Sequence, residues 1–126
     1  MRILLAALFM AAGQRFAWSA DALREEMLNL ANDKSCSLCH SLESRKASAD
    51  QLLPFAPAWK DIGRKYRGQR AAEDKLTRVV LGGTGASPDG RHWQNKVRDP
   101  FMLPNASEIN EADARRLVRW MLSLDQ

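Results

Sequence analysis

Four segments of the chain carry apolar residues at the spacing of an amphipathic helix. The first is predicted over residues 22–32, where leucine, methionine and alanine side chains share one face and two glutamates occupy the first turn. The second is predicted over 57–66, since its leading proline suits the first turn of a helix and a glycine follows its end. The third is predicted over 71–81 and is followed by the glycine pair 82–83, a common C-terminal signal.

The last helix is the most clearly defined by its sequence. Asn110 is a favourable N-cap, and Asp113 stands at the third helical position, where its side chain can complete a capping box. The apolar stripe that follows consists of Ala114, Leu117, Val118, Met121 and Leu122. We expect this helix to cross the first one.

Two segments without a detectable period separate these helices. Residues 41–51 are polar and indicate a surface loop, which Pro54 and Pro57 stiffen where it ends. Residues 82–107 are rich in glycine, proline, aspartate and asparagine, and we expect no regular structure there. Since the chain lacks the β-branched and aromatic runs typical of strands, it predicts an all-α fold of four or so helices.

The N-terminal segment resembles a secretory signal peptide. Met1 and Arg2 precede the apolar run 3–12, and a short polar turn and small residues follow it. The run is too short to span a bilayer as a helix. We therefore expect residues 1–20 to be removed on export, with cleavage somewhere in 19–22, and residues 21–126 to form the folded domain. An uncleaved membrane anchor is the alternative.

Charge is distributed unevenly along the chain. Residues 34–98 hold 13 basic and 6 acidic residues, whereas 21–33 and 99–126 together hold 4 basic and 9 acidic ones. A basic middle favours a positive face that steers the protein towards an acidic partner, although an ordinary solvated surface has the same composition. The chain has neither a dense basic tract nor a nucleic-acid recognition motif, which argues against nucleic acid as a partner.

The pentapeptide Cys36-Ser37-Leu38-Cys39-His40 has the spacing of c-type haem attachment. Two thiols on one turn can form thioethers with the two vinyl groups of a haem, and the adjacent imidazole can ligate its iron. A redox-active dithiol would favour a neighbouring βαβ pattern, which is absent. A structural zinc site needs four ligands, and the only further cysteine or histidine is His92.

The sixth ligand of such an iron would decide between electron transfer and small-molecule binding. Met27 and Met121 lie on apolar helix faces, where methionine is ordinarily part of the core. Met102 lies in a proline-stiffened irregular segment, so its sulfur could reach the iron at small entropic cost. His92 is the rival ligand, although a histidine beside a tryptophan in a glycine-rich loop is more typical of the surface.

Four features in this order resemble the small bacterial monohaem class I cytochromes c of the c-551 type. They are CSLCH at 36–40, APAWKDIG at 56–63, FMLPN at 101–105, and a final helix with Leu117 and Trp120. The resemblance covers nearly all of the predicted mature chain. It implies a class I cytochrome c fold around one covalently bound haem c.

The resemblance also implies roles for particular residues. His40 and Met102 would be the axial ligands of the iron. The carbonyl of Pro57 would accept a hydrogen bond from the His40 ring, and Asn105 would bond the Met102 sulfur.

By the same comparison, Arg78 and Trp93 would reach the haem propionates. A solvated helix charge for Arg78 and a packing role for Trp93 are the ordinary alternatives.

The resulting hypothesis is a periplasmic one-electron carrier between respiratory redox proteins, and not an enzyme. Lys60, Lys65 and Lys96 are candidates to surround the haem edge and steer docking onto acidic surfaces. The protein would then be a monomer. One alternative is a haem c subunit docked on a periplasmic dehydrogenase or reductase, and another is a gas-binding or peroxidatic haem from which Met102 is displaced.

Overall fold

The computed structural model describes residues 4–45, 52–85 and 88–124. In these ranges every regular element is helical. The elements are α1 (Leu4–Asp33), a 3-10 turn (Cys36–Leu38), α2 (Trp59–Tyr66), α3 (Ala72–Gly82), α4 (Pro88–His92) and α5 (Glu111–Ser123). The predicted all-α fold is confirmed for this part of the chain.

The helices differ from the prediction in three places. α2 begins at Trp59, so Pro57 precedes the helix and does not lie in its first turn. α1 begins at Leu4 and includes the segment interpreted as an export signal, while the side chains of residues 4–18 lie outside the description. The expectation of no regular structure over 82–107 is wrong, because α4 forms there. A five-residue helix spans fewer than two turns, too short for a hydrophobic period to appear.

α5 is the element around which the core is built, since it packs against α1, α2 and α3. Met27 of α1 and Val118 of α5 are 1% and 2% exposed. Trp59 of α2 meets Trp120 edge to face, with ring centroids 5.7 Å apart. The expected contact between the first and last helices is therefore confirmed, and Met27 and Met121 are core residues as predicted.

The start of α5 has the predicted cap. The Asn110 side-chain oxygen accepts the backbone N–H of Asp113 at 2.9 Å, and the Asn110 amide donates to the Asp113 carboxylate at 3.0 Å. The first of these two hydrogen bonds satisfies one of the backbone N–H groups that the start of a helix leaves without a partner.

Exposed ion pairs join α5 to its neighbours. Arg115 contacts Asp74 at 2.6 Å and Glu73 at 3.1 Å on α3, and Arg116 pairs with Glu26 on α1. Hydrogen bonds from Arg119 and Arg115 hold the pKa of Glu73 below its usual value. Because such exposed pairs contribute little, the apolar core rather than this network carries most of the stability.

Gly63 permits the close approach of α2 and α5. A Cβ at this position would lie 2.7 Å from the backbone oxygen of Met121. We expect Gly63→Ala to lower the free energy of unfolding by about 1–3 kcal/mol, because the two helices must separate. Chemical denaturation of the haem-loaded protein measures the change. Gly82→Ala is the control, since its Cβ would meet nothing within 4 Å; equal stability of the two variants would contradict the prediction.

Within the described residues, no helix has both the length and the apolar character needed to cross a membrane.

Candidate functional site

The two cysteines occupy the ends of one tight turn directly after α1. Ser35 adopts a left-handed conformation (φ 61°), which redirects the chain as it leaves the helix. The amides of Cys39 and His40 both donate to the carbonyl of Cys36, at 3.2 and 3.1 Å. These hydrogen bonds thus fix the backbone of the five residues that carry the two thiols and the imidazole.

His40 is held by a hydrogen bond between its Nδ1 and the carbonyl oxygen of Pro57, 2.7 Å away. Since a carbonyl can only accept, Nδ1 carries the proton and Nε2 retains the lone pair that binds a metal. Burial lowers the pKa of His40, and this effect outweighs the Pro57 hydrogen bond, which raises it. The ring is therefore neutral at pH 7, and it stacks on Trp59 with centroids 6.2 Å apart.

Met102 is positioned through its backbone by Thr84. The Met102 amide donates to the Thr84 hydroxyl at 2.8 Å, and the Thr84 amide donates to the Met102 carbonyl at 3.0 Å. These two bonds fix the main chain on both sides of the Met102 side chain. The side chain itself is half-buried.

The segment after Met102 caps the C-terminal end of α3. The amides of Asn105 and Ala106 both donate to the carbonyl of Leu81 at 3.1 Å. The Asn105 side-chain amide donates to Val80 at 3.3 Å and to Leu103 at 2.6 Å. Carbonyl groups that the helix end would leave without partners are thus satisfied. A bond from Asn105 to the methionine sulfur stays a prediction.

Gly83 allows this segment to approach α3 closely. Its backbone is left-handed (φ +75°), and a Cβ would lie 2.7 Å from the Met102 oxygen and 3.0 Å from the Pro104 nitrogen. In the sequence, Gly83 is recognisable only as part of a helix-end signal, and Thr84 carries no signal at all. A backbone contact between residues 18 positions apart leaves no local signal in the sequence.

Three adjoining cavities share His40 and Met102 in their walls. One of them, about 260 Å³ in volume, is also lined by Cys36 and Cys39. Another is lined almost wholly by apolar side chains from the helices: Ile62, Leu76, Val79, Val80, Leu117 and Val118. Two thiols, an imidazole and a thioether around apolar space are the donor set and surroundings that a covalently attached haem requires. The residues present therefore fit haem c.

The alternative roles of the cysteines fit less well. Burial raises the pKa of the Cys36 thiol, and repulsion by Cys39 adds to the rise, whereas a redox-active dithiol has a lowered pKa. Among the described residues, no group of three or more histidine, cysteine, aspartate or glutamate side chains could hold a metal ion. The structure thus offers no zinc site in this part of the chain.

The remaining candidate residues, Trp93, Arg78 and His92, differ in whether they line these cavities. Trp93 is half-buried and lines a cavity together with His40 and Met102. Arg78 is exposed and lines none of the cavities described here. His92 packs edge-on against Trp93 at 4.7 Å and does not line the cavities that contain Met102.

Comparison with known proteins matches this region to one family. The family model described as Cytochrome c matches residues 29–125. Cytochrome c-551 of Allochromatium vinosum is 38% identical over 98 residues, covering 77% of this chain and 84% of that protein. Cytochrome c2 of Rhodocyclus tenuis is 34% identical over 98 residues, covering 77% of this chain and 90% of that protein. The crystal structure of Nitrosomonas europaea cytochrome c552 is similar with a TM-score of 0.55 and 28% identity, over 78% of this chain and 99% of that one.

Proposed function

The chain belongs to the cytochrome c family, and we propose that it is a periplasmic one-electron carrier with His40 and Met102 as the axial ligands of its haem iron. Cytochromes c carry a covalently bound haem c and transfer electrons, and they are not enzymes. We propose the ligation of the iron, the periplasmic location and the redox partners together. The observation that carries them is the pair of potential ligands in the walls of the same apolar cavities.

The surroundings of the two ligands support this pair. Because Nδ1 of His40 is occupied by Pro57, the imidazole has a fixed orientation and only Nε2 remains for iron. Met102 is held on both sides by Thr84, so its sulfur can bind without ordering a mobile segment. Two protein ligands would leave no open coordination position, which favours electron transfer over binding of small molecules.

When bound, haem c supplies an iron that cycles between the ferric and ferrous states. The contribution of the chain is to attach the ring through Cys36 and Cys39, to orient His40, and to exclude water with apolar side chains. A soft methionine sulfur and an apolar pocket both favour the ferrous state and hence a raised reduction potential. Little rearrangement on electron transfer is expected from a site so constrained.

The surroundings of the site suggest how a partner would dock. Leu103 is 77% exposed beside the cavity that the cysteines line, and Phe55 and Phe101 lie on the same rim. Lys65 and Lys96 lie near Trp93, and Lys60 pairs with Glu43 at 2.8 Å. An apolar contact patch, with Arg98 5.8 Å from the centroid of the Phe55 ring, suits a redox partner with an acidic surface.

The proposal includes export before haem attachment. Residues 1–20 would act as a cleaved signal peptide and 21–126 as the cytochrome domain, with cleavage within 19–22. N-terminal sequencing of the protein purified from the periplasm tests this, and a mature chain that begins at Met1 would contradict it.

Optical spectra of the oxidised and reduced protein, expressed with a haem-attachment system, test the ligation. We expect a sulfur-to-iron charge-transfer band in the oxidised protein and slow or no CO binding in the reduced one. Rapid CO binding without that band would favour the gas-binding alternative and contradict the His40 and Met102 pair.

The exposed apolar rim also favours a second candidate, a haem subunit held permanently on a periplasmic dehydrogenase or reductase. A mobile carrier should purify alone at high salt. A stoichiometric partner that stays bound under those conditions would favour the subunit.

A further inference from the structure

Thr84 contacts Met102 through two hydrogen bonds of different kinds. The Thr84 amide donates to the Met102 carbonyl at 3.0 Å, and the Met102 amide donates to the Thr84 side-chain oxygen Oγ1 at 2.8 Å. Residues that face each other in an ordinary antiparallel pair exchange two bonds between main-chain groups. Here one of the two acceptors is a side chain, so the pairing depends on which residue occupies position 84.

The main chain around Thr84 is not that of a strand. Gly83 and Gly85 both have positive φ values, +75° and +49°, so the chain turns immediately before and after Thr84. The Gly83 amide donates to the Val79 carbonyl at 2.8 Å, which ties this turn to the end of α3. The Thr84 hydroxyl thus supplies, from a turn anchored on a helix, the acceptor that a neighbouring strand would supply from its main chain.

The hydroxyl acts as an acceptor in this contact. Thr84 Oγ1 lies 3.5 Å from the Met102 carbonyl oxygen, which is long for a bond that the hydroxyl would donate. The Met102 amide, at 2.8 Å, is well within hydrogen-bond range. Since the Thr84 amide already donates to that carbonyl, the contribution of the side chain is a partner for the Met102 amide.

The contact lies where an unpaired amide is costly. Thr84, Met102 and His40 line one cavity, whose remaining wall is mostly apolar and aromatic and includes Leu76 and Val79. The hydrogen bond itself is partly buried. An amide that loses its acceptor there must stay unpaired or move until it meets water. Because the amide and the side chain of Met102 belong to the same residue, a shift of the main chain also displaces the thioether.

We propose that Thr84 is a positioning residue for the sixth ligand, and that its hydroxyl keeps the main chain of Met102 in place so that the thioether stays available to the iron. This inference rests on the proposed function, since it takes Met102 as the ligand. It goes further by naming the side-chain atom that maintains the ligation.

Thr84→Val tests the hydroxyl, because valine keeps the branched shape of threonine and removes the acceptor. We expect the reduced, haem-loaded variant to bind CO faster than the wild type by on the order of tenfold, the factor that loss of a buried amide's acceptor is worth. The charge-transfer band of the oxidised variant should weaken. Thr84→Ser keeps the acceptor, so its band and its CO rate should stay close to those of the wild type.

Thr77→Val is the matched control. Thr77 is buried on α3, and its hydroxyl donates to the Glu73 carbonyl at 2.8 Å. The same substitution there removes a threonine hydrogen bond, but Thr77 lines none of the three cavities that contain Met102. Chemical denaturation should show lower stability in both valine variants. Only Thr84→Val should alter the band and the CO rate, which a merely structural role of Thr84 would leave unchanged.

Two results with the variants would overturn the proposal. One is an unchanged band and CO rate in Thr84→Val. The other is a Thr84→Ser protein as impaired as Thr84→Val, because the methyl group and not the hydroxyl would then be responsible.

Hydrogen exchange of the Met102 amide in the wild-type haem protein provides a measurement that needs no variant to fold. Protection of this amide supports the proposal. Exchange as fast as that of an exposed loop amide overturns it, since the bond to Thr84 would then not persist in the loaded protein.

Failure of this proposal differs from failure of the proposed function. A wild-type protein without the charge-transfer band has another sixth ligand, and both proposals are then wrong. A band that is present in the wild type and undiminished in Thr84→Val leaves the ligation by Met102 intact and removes only the role of Thr84.

Discussion

Met102→Ala is expected to abolish the sulfur-to-iron charge-transfer band and to lower the reduction potential. The fall should be on the order of 0.1 V or more, within the ~0.8 V range over which axial ligands set haem potentials. Loss of the thioether removes the soft ligand that favours ferrous iron and opens the sixth position. The reduced variant should consequently bind CO rapidly, which stopped-flow absorbance measures.

The fold should survive this substitution. The segment is held by backbone bonds to Thr84 and Leu81, which do not involve the methionine side chain. Met121→Leu is the control, because Met121 is a buried core residue and a volume-conserving swap there costs less than about 1.5 kcal/mol. Persistence of the band and of the potential in Met102→Ala would show that another group is the ligand.

Gly83→Ala is expected to weaken the bond between the Met102 sulfur and the haem iron, although Met102 itself is unchanged. A Cβ at Gly83 would lie 2.7 Å from the Met102 oxygen, where the chain must shift by several tenths of an ångström. The backbone at Gly83 (φ 75°, ψ 172°) lies in a region that is nearly restricted to glycine, and it costs on the order of 1–3 kcal/mol for a residue with a side chain. We expect partial loss of the charge-transfer band and faster CO binding than in the wild type, together with lower stability.

A substitution at a second glycine, Gly68, separates the effect of backbone strain from the effect of the close approach to Met102. Gly68 also has a positive φ (+73°), but a Cβ there would meet nothing within 4 Å. Gly68→Ala should therefore lower stability through strain alone and leave the band intact. If both variants affect the band equally, the close approach of Gly83 to Met102 has no role in ligation.

Local sequence signals predicted the elements whose causes are local. The capping of α5 by Asn110 needs only Asp113 three residues later, and the attachment turn is contained in five residues. The C-terminal ends of α2 and α3 followed from the glycines at 68 and 82–83, whereas α2 begins two residues after the proline that was expected in its first turn. These features could be predicted because the physical interactions that produce them join neighbours in the chain.

Features that depend on distant parts of the chain were missed. The bonds between Thr84 and Met102 join residues 18 apart. A polar cavity of about 350 Å³ brings together side chains from the loop after His40, from α2 and from the segment around Trp93. Lys65 and Lys96 were predicted to lie at the haem edge and to steer docking, whereas the cavity that they share appears only once the chain has folded.

The contacts between the Met102 segment and α3 have a consequence for motion. Since the end of α3 and the Met102 segment satisfy each other's backbone groups, neither can open alone without exposing unpaired amides and carbonyls. They should exchange their amide hydrogens together, as one cooperative unit. Detachment of the sulfur from iron would then be a partial unfolding event, so the lifetime of that bond would be set by the helix as much as by the metal.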